Sequence, residues 1–124
     1  IETISIPDIK GNKANYIYSK TYTGNGKLYG YFNVPGYVSN PPDYVNDKSM
    51  QTFEIDVYNK TVKKMNFDGT TGWSCSQCKA GDYMVFGMAS TQGTGYYLYN
   101  YKEDKYEPLK IKTEGNPFKI QYLK

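Results

Sequence analysis

The chain has 124 residues, 15 of them tyrosine, and its 15 lysines and 12 acidic residues give a net charge of +3 at pH 7. It contains no histidine and no arginine, which excludes a Ser-His triad and an arginine clamp on phosphate or carboxylate. The small positive charge argues against nucleic acid as a partner, and no apolar run approaches the eighteen or so residues that a membrane span needs. The first residues also lack the basic segment and apolar run of a signal peptide.

The first half of the chain alternates short aromatic and apolar runs with turn-forming residues. Residues 23–26, Thr-Gly-Asn-Gly, are a dense turn signal between two such runs. Runs of this length and composition are typical of β-strands. We therefore predict strands at residues 4–6, 16–20, 28–34, 53–58 and 62–69.

The second half shows the same alternation. It predicts strands at residues 73–77, 83–88, 96–101, 106–111 and 118–123. Short connections favour antiparallel pairing, because parallel strands need crossovers of a dozen residues or more. The last predicted strand must pair either with residues 4–6 or with a second chain, so a homo-oligomer is one expectation.

The two halves match each other in order. Residues 28–34 match 82–88, residues 53–58 match 96–101, and residues 62–69 match 108–115. The match predicts two repeat units, at about 12–69 and 70–115, each an antiparallel meander of four strands.

The predicted fold class is all-β, in a single domain spanning residues 1–124. Each four-stranded unit has one apolar face that must be covered. We rank first a sandwich of the two units, then a fragment of a larger propeller, and then a self-associating partial propeller.

The units resemble the blades of β-propellers in bacterial extracellular proteins. The resemblance rests on an Asp- or Asn-containing strand, a tight turn and a lysine-flanked outer strand in each unit, and it covers most of the chain. No diagnostic motif such as a Trp-Asp dipeptide accompanies it. It implies an extracellular or cell-envelope location.

Residues 35–50 are the longest stretch without strand character, and loops of this length are often functional. Tyr37 and Tyr44 offer stacking faces, while Asp43 and Asp47 offer hydrogen-bond acceptors. These four residues are therefore candidate ligand contacts, with carbohydrate as the more natural ligand. The alternative is a passive insertion between two strands.

Trp73 is the only tryptophan, and it is either a core residue or a surface platform for a ligand. It takes the position of Tyr16 in the other unit, and this equivalence favours the core. We also retain it as a candidate ligand contact.

Cys75 and Cys78 are the only cysteines. Without histidine they cannot assemble a four-ligand zinc site, so no metal and no cofactor are expected. A local disulfide is predicted if the protein is exported, and two free thiols if it is cytosolic.

Residues 53–58 alternate in a way that puts Glu54 and Asp56 on one face of a strand. Two carboxylates at this spacing are candidates for general acid and base chemistry. The favoured interpretation is instead a charged, solvated face near Lys63 and Lys64.

Two function classes follow. The first, which we favour, is a non-catalytic extracellular or cell-envelope module that binds a glycan or a protein through the 35–50 loop. The second is a carboxylate-dependent hydrolase, or a fragment of one, using Glu54 and Asp56. A structural spacer without any ligand is a third.

Overall fold

The computed structural model describes Ile4 and residues 12–117. These residues contain eight strands and a single 3₁₀ turn at Pro35–Tyr37, so the all-β prediction is confirmed. The strands are β1 (Tyr16–Gly24), β2 (Lys27–Asn33), β3 (Met50–Asp56), β4 (Thr61–Lys64), β5 (Cys75–Ala80), β6 (Tyr83–Ser90), β7 (Gly93–Asn100) and β8 (Lys105–Lys112). The strands predicted at 4–6 and 118–123 lie outside the described residues, apart from Ile4.

The eight strands form two four-stranded sheets, in the orders β1-β2-β3-β4 and β5-β6-β7-β8. Every neighbouring pair is antiparallel, as the short connections within each sheet require. The long 35–50 loop between β2 and β3 is the exception, because its length alone does not require antiparallel pairing. In the β1–β2 turn, Gly24, Asn25 and Gly26 have φ values of 95°, 55° and 75°. Glycine and asparagine tolerate this left-handed backbone better than other residues do, which explains the turn signal in the sequence.

Most strands begin or end a few residues away from the predicted limits, and two of the differences lie at the crossing from the first sheet to the second. β4 ends at Lys64 because Met65 and Phe67, predicted as strand, bury their side chains in the core between the sheets. β5 begins at Cys75, two residues after Trp73, which lies in the preceding turn.

The core lies between the two sheets, which pack together as in a sandwich. Tyr29 and Tyr31 of β2 face the second sheet, where Met84, Phe86 and Met88 of β6 face the first. The rings of Tyr31 and Phe86 meet edge to face with centroids 5.7 Å apart. Full burial of rings of this size supplies much of the hydrophobic free energy of folding.

Corresponding strands of the two sheets run in the same direction. Tyr29, near the start of β2, packs against Tyr99, which pairs with Met84 at the start of β6. Tyr31, further along β2, packs against Phe86, further along β6. Because β1 also lies beside β5, the two sheets are stacked in the same orientation. The faces that meet in the core are therefore not equivalent faces of the two sheets. Two sheets stacked in this way do not close a ring.

β3 is covered on both faces, so the predicted solvated face is wrong. Phe53 is fully buried with Phe32 and Val34 on the outer side of the first sheet. Glu54 and Asp56 lie on the inner side and are only 7% and 8% exposed. The period-two pattern identified the two faces of β3, but the second sheet covers the polar one.

Candidate functional site

An open cleft of about 410 Å³ lies where β1 begins and β2 ends, beside the turn that leads into β5. The first sheet, the 35–50 loop and the connection that leads into the second sheet contribute to its walls. The residues that matter for its chemistry are Tyr16, Tyr18, Tyr44, Asp47, Ser49 and Trp73. We call it the aromatic cleft.

Four aromatic rings line the aromatic cleft, and all four are exposed to solvent. Trp73 is 62% exposed and Tyr44 is 73% exposed. Tyr16 and Tyr18 are two residues apart on β1, a spacing that puts both side chains on the same side of a strand. Four rings from three segments of the chain therefore line one cleft, and each ring remains exposed to solvent.

The 35–50 loop is held in shape by its own aspartates. Asp47 Oδ2 accepts hydrogen bonds from the backbone N–H groups of Ser39 and Asp43, at 2.9 and 3.0 Å, and from the Ser39 hydroxyl. Asp43 accepts from the backbone of Val45 and from the backbone and side chain of Asn46. These bonds favour the ionised carboxylates, and they lower the pKa of Asp43, mainly through Asn46, and of Asp47, mainly through Ser39. The network fixes the turn that carries Tyr44.

The structure brings together three of the five predicted ligand contacts. Tyr44, Asp47 and Trp73 line the aromatic cleft. The expectation that Trp73 is a core residue is wrong, because the chain has not yet entered β5 at this position. Tyr37 is half-buried and packs against Phe32, Val34 and Phe53 on the outer side of the first sheet. Asp43 does not line the cleft and acts inside the loop.

Tyr16 and Tyr18 are cleft residues that the sequence reasoning missed. An i, i+2 spacing puts two side chains on one face of a strand, but it does not show whether that face remains open. A register shift between Ile17 and Ser19 leaves Tyr18 without a paired residue on β2. Such bulges reorient side chains locally, and they are not readable from composition.

Of the two predicted states of the cysteines, the structure has the free thiols and not the local disulfide: Cys75 and Cys78 are both unbonded on β5. Three residues along a strand span roughly 10 Å, which exceeds the Cα separation that a disulfide bridges. Cys75 is buried, and its thiol donates to the carbonyl oxygen of Gly72 at 3.3 Å. Burial raises the pKa of Cys75 to about 11 and also raises that of Cys78, so neither is an activated nucleophile.

A second cleft of about 320 Å³ lies at the other end of the interface between the sheets, and it contains Glu54. Tyr29 donates its hydroxyl to Glu54 Oε2 at 2.8 Å, and Lys27 binds Oε1 at 3.1 Å. Lys27 also lies 3.1 Å from Asp56, and the ammonium group of Lys63 lies 3.7 Å from Glu54 Oε1. The two carboxylates do share a face near Lys63, and Lys27 holds both.

Asp56 remains ionised down to low pH. Hydrogen bonds from the backbone and side chain of Asn59, reinforced by Lys27, lower its pKa to about 2. A general acid must hold a proton near the working pH. The pair Glu54 and Asp56 therefore forms an ion-paired structural cluster, with Asp56 unable to act as a proton donor at neutral pH.

In Ile4 and residues 12–117, no three acidic or cysteine side chains are grouped closely enough to hold a metal ion. The same part of the chain contains no helix of sufficient length and apolarity to cross a membrane. Comparisons with protein-family models, curated proteins and solved structures found no match to this chain.

Proposed function

We propose that the chain is a non-catalytic binding module and that its ligand is a carbohydrate held in the aromatic cleft. One observation carries the proposal: Tyr16, Tyr18, Tyr44 and Trp73 converge on one cleft while their rings remain exposed to water. Exposed apolar residues scattered singly are ordinary, whereas a contiguous group around a concavity marks a binding surface.

The cleft has the size and chemistry of a small-ligand site. Its volume of about 410 Å³ lies within the range of roughly 300–1,000 Å³ for such sites. A pyranose ring presents an apolar C–H face to an aromatic ring and hydroxyl groups around its edge. Asp47 and Ser49 lie beside the rings. The hydrogen bonds from the loop to Asp47 all end on Oδ2, so Asp47 Oδ1 and the Ser49 hydroxyl are the polar atoms proposed for those hydroxyl groups.

The chemistry elsewhere in the described chain does not favour the hydrolase alternative. Asp56 stays ionised at neutral pH, and Glu54 is ion-paired to the same lysine. The whole sequence contains no histidine to serve as a general base.

The proposal extends to architecture and location. The same-direction stacking of two four-stranded sheets supports a partial propeller built from two repeat units. Through the resemblance of these units to blades of bacterial extracellular proteins, we propose an extracellular or cell-envelope location. The free thiols of Cys75 and Cys78 do not argue for the cytosol, because two cysteines three residues apart on β5 are too distant to form a disulfide in any compartment. A polysaccharide ligand is consistent with that location.

The test compares tyrosines of equal exposure inside and outside the aromatic cleft. Tyr44 and Tyr58 are both 73% exposed, but only Tyr44 lines the cleft. Wild-type protein is screened on a glycan array, and the best oligosaccharide is titrated by calorimetry into wild type, Tyr44→Ala, Trp73→Ala and Tyr58→Ala. We expect Tyr44→Ala and Trp73→Ala to weaken binding at least about tenfold, and Tyr58→Ala to leave it unchanged.

Two results would contradict the proposal. An array without any bound glycan would remove carbohydrate as the ligand class. Equal affinity loss in Tyr44→Ala and Tyr58→Ala would remove the aromatic cleft as the binding site. Circular dichroism of each variant establishes that its fold is intact.

A further inference from the structure

The aromatic cleft carries a negative charge and, among the described residues that line it, no positive one. Asp47 is the one charged residue of this lining. Lys48, its neighbour in the sequence, lies on the wall of a different cleft. Asp43 adds a second negative charge in the same turn, where its backbone N–H donates to Asp47. The electrostatics of the cleft therefore favour a ligand of positive charge.

Asp47 has one carboxylate oxygen to offer a ligand. The hydrogen bonds from Ser39 and Asp43 all end on Oδ2, and no group of the described chain bonds to Oδ1. The backbone N–H of Ser39 is the main cause of the lowered pKa of Asp47, so the carboxyl group is ionised at neutral pH. The loop thus holds a charged acceptor at the wall of the cleft.

The rings of the aromatic cleft also favour a positive charge. The face of an aromatic ring is electrostatically negative and attracts a cation within about 6 Å of its centroid, most strongly in tryptophan. The chain uses this attraction elsewhere, since the ammonium groups of Lys79 and Lys102 lie 6.0 and 5.9 Å from the ring centroid of Tyr101. Tyr101 lies outside the aromatic cleft, and no lysine of the described chain lines the cleft. A cation at the face of Trp73 is left for a ligand to bring.

On the basis of the proposed function, we infer that the ligand of the aromatic cleft carries an organic ammonium group, which lies against the rings and pairs with Asp47 Oδ1. Groups of aromatic rings are a known means of binding such cations. Two sources supply the same chemistry: the protonated amine of an amino sugar, and a quaternary ammonium substituent such as choline on a glycan. The Ser49 hydroxyl remains for the hydroxyl groups of the sugar.

The same features discriminate against neutral and anionic sugars. A uronic acid would place its carboxylate near Asp47, and like charges brought together in this way reduce affinity. The described lining offers no lysine to compensate, and the whole chain has no arginine. A neutral sugar stacks on the rings but leaves the charge of Asp47 without a partner. We expect affinity to fall from cationic to neutral to anionic sugars.

The first experiment compares oligosaccharides that differ in charge but little in shape. A tetramer of glucosamine, a tetramer of glucose with the same linkage and a tetramer of a uronic acid are titrated into the protein by calorimetry. The buffer is at about pH 6, where an aspartate is ionised, and at low salt, where screening is weak. We expect the glucosamine tetramer to bind at least about tenfold more tightly than the glucose tetramer, and the uronic acid tetramer to bind most weakly.

The second experiment tests the quaternary source with two small probes of the same shape. Choline is compared with dimethylbutanol, in which a carbon atom replaces the charged nitrogen. A preference for choline of at least about tenfold would support the inference even where the glucosamine tetramer has no advantage. It would then identify a quaternary substituent as the source of the charge.

Two pairs of variants assign the charge preference to the aromatic cleft. Asp47→Asn should lower it by roughly two- to fivefold, whereas Asp43→Asn removes the same charge from the same turn outside the cleft and should lower it less. Tyr16→Leu keeps an apolar side chain but loses the ring face, and it should lower the preference by roughly two- to fivefold. Tyr16→Phe keeps the ring and should retain the preference.

Two outcomes would overturn the inference. The first is equal affinity for the charged and the uncharged member of both pairs of ligands, or tightest binding of the uronic acid tetramer. The second is a preference that falls no further in Asp47→Asn than in Asp43→Asn, and no further in Tyr16→Leu than in Tyr16→Phe. If circular dichroism shows that Asp47→Asn is unfolded, the two Tyr16 variants carry the comparison.

Failure of this inference is distinguishable from failure of the proposed function. Equal binding of the glucosamine and glucose tetramers, together with equal binding of choline and dimethylbutanol, would remove the ammonium group and keep carbohydrate as the ligand. A preference for choline without binding of any tetramer would remove carbohydrate and keep the ammonium site.

Discussion

Replacing Tyr31 by phenylalanine removes one hydroxyl group from the interface that positions the aromatic cleft. The Tyr31 side chain is fully buried, and its hydroxyl donates across the interface to the carbonyl oxygens of Ser76 and Gly87, at 2.9 and 3.3 Å. Phenylalanine keeps the ring and its edge-to-face contact with Phe86. The substitution therefore isolates the hydrogen bond from the packing.

The magnitude follows from what the change leaves behind. Water cannot reach the vacated position, because Tyr31 has no exposed surface. A buried acceptor left without a donor costs about 1–3 kcal/mol, and we expect the free energy of unfolding to fall by about that amount. For a chain of this length the melting temperature should fall by about 3–5 °C for each kcal/mol.

Urea denaturation, followed by circular dichroism, measures this difference. The midpoint should fall while the slope of the transition stays constant, since the same surface is exposed on unfolding. Tyr44→Phe is the matched control, because Tyr44 is exposed and should change stability by less than about 0.5 kcal/mol. A loss in Tyr31→Phe no larger than in this control would refute the bridging role of the hydroxyl.

Three further predictions follow from the environments of single residues. Asp56→Asn should make the free energy of unfolding depend less on pH in the acid range. The native pKa of Asp56 is lowered to about 2, so its ionised carboxylate stabilises the fold fully above the unfolded pKa, and this stabilisation is lost as the pH falls towards 2. The same decrease in the free energy of unfolding with falling pH in both proteins would contradict this. Cys75 is buried with a raised pKa, so a thiol reagent at pH 7.5 should modify it only after denaturant is added, and rapid native labelling in Cys78→Ser would disprove its burial. Gly87→Ala should destabilise the fold, because a Cβ there would lie 2.7 Å from the carbonyl oxygen of Pro117, and wild-type stability would show that this approach is not tight.

The strand order was predictable because it depends on local chemistry. Short aromatic and β-branched runs separated by glycine, asparagine and charged turns predicted ten strands, and the eight that fall in the described residues are present in the predicted order. The short connections between most of them favour antiparallel pairs. The predicted end of β4 was wrong because the β-strand propensity of the residues that follow it conflicts with tertiary packing. Met65 and Phe67 read as strand residues by composition, but the core between the sheets takes their side chains.

The candidate site was predictable only in part, because exposure is decided by how the sheets stack. Alternation placed Glu54 and Asp56 on one face of β3, but only the position of the second sheet determines that this face is buried. Trp73 resembles a strand residue in the sequence, and it is exposed because β5 begins two residues later. Tyr16 and Trp73 line the same cleft although they are 57 residues apart in the sequence. Local sequence patterns cannot predict such a contact between distant segments.

The aspartates of the 35–50 loop show a different limit. Their carboxylates were predicted as ligand contacts because carboxylates accept hydrogen bonds from hydroxyl groups. Short polar side chains in loops also bond to nearby backbone N–H groups, and Asp43 and Asp47 do so throughout the turn. The sequence identifies such acceptors without revealing whether the loop itself already occupies them.

The most direct measurement of carbohydrate binding in the aromatic cleft is the fluorescence of Trp73, the single tryptophan of the chain. Because Trp73 is exposed within the cleft, a bound sugar ring should shift its emission to shorter wavelength and protect it from acrylamide quenching. We expect this change to saturate at the stoichiometry found by calorimetry and to be lost in Tyr44→Ala. An oligosaccharide that binds by calorimetry without changing the emission or quenching of Trp73 would contradict the account.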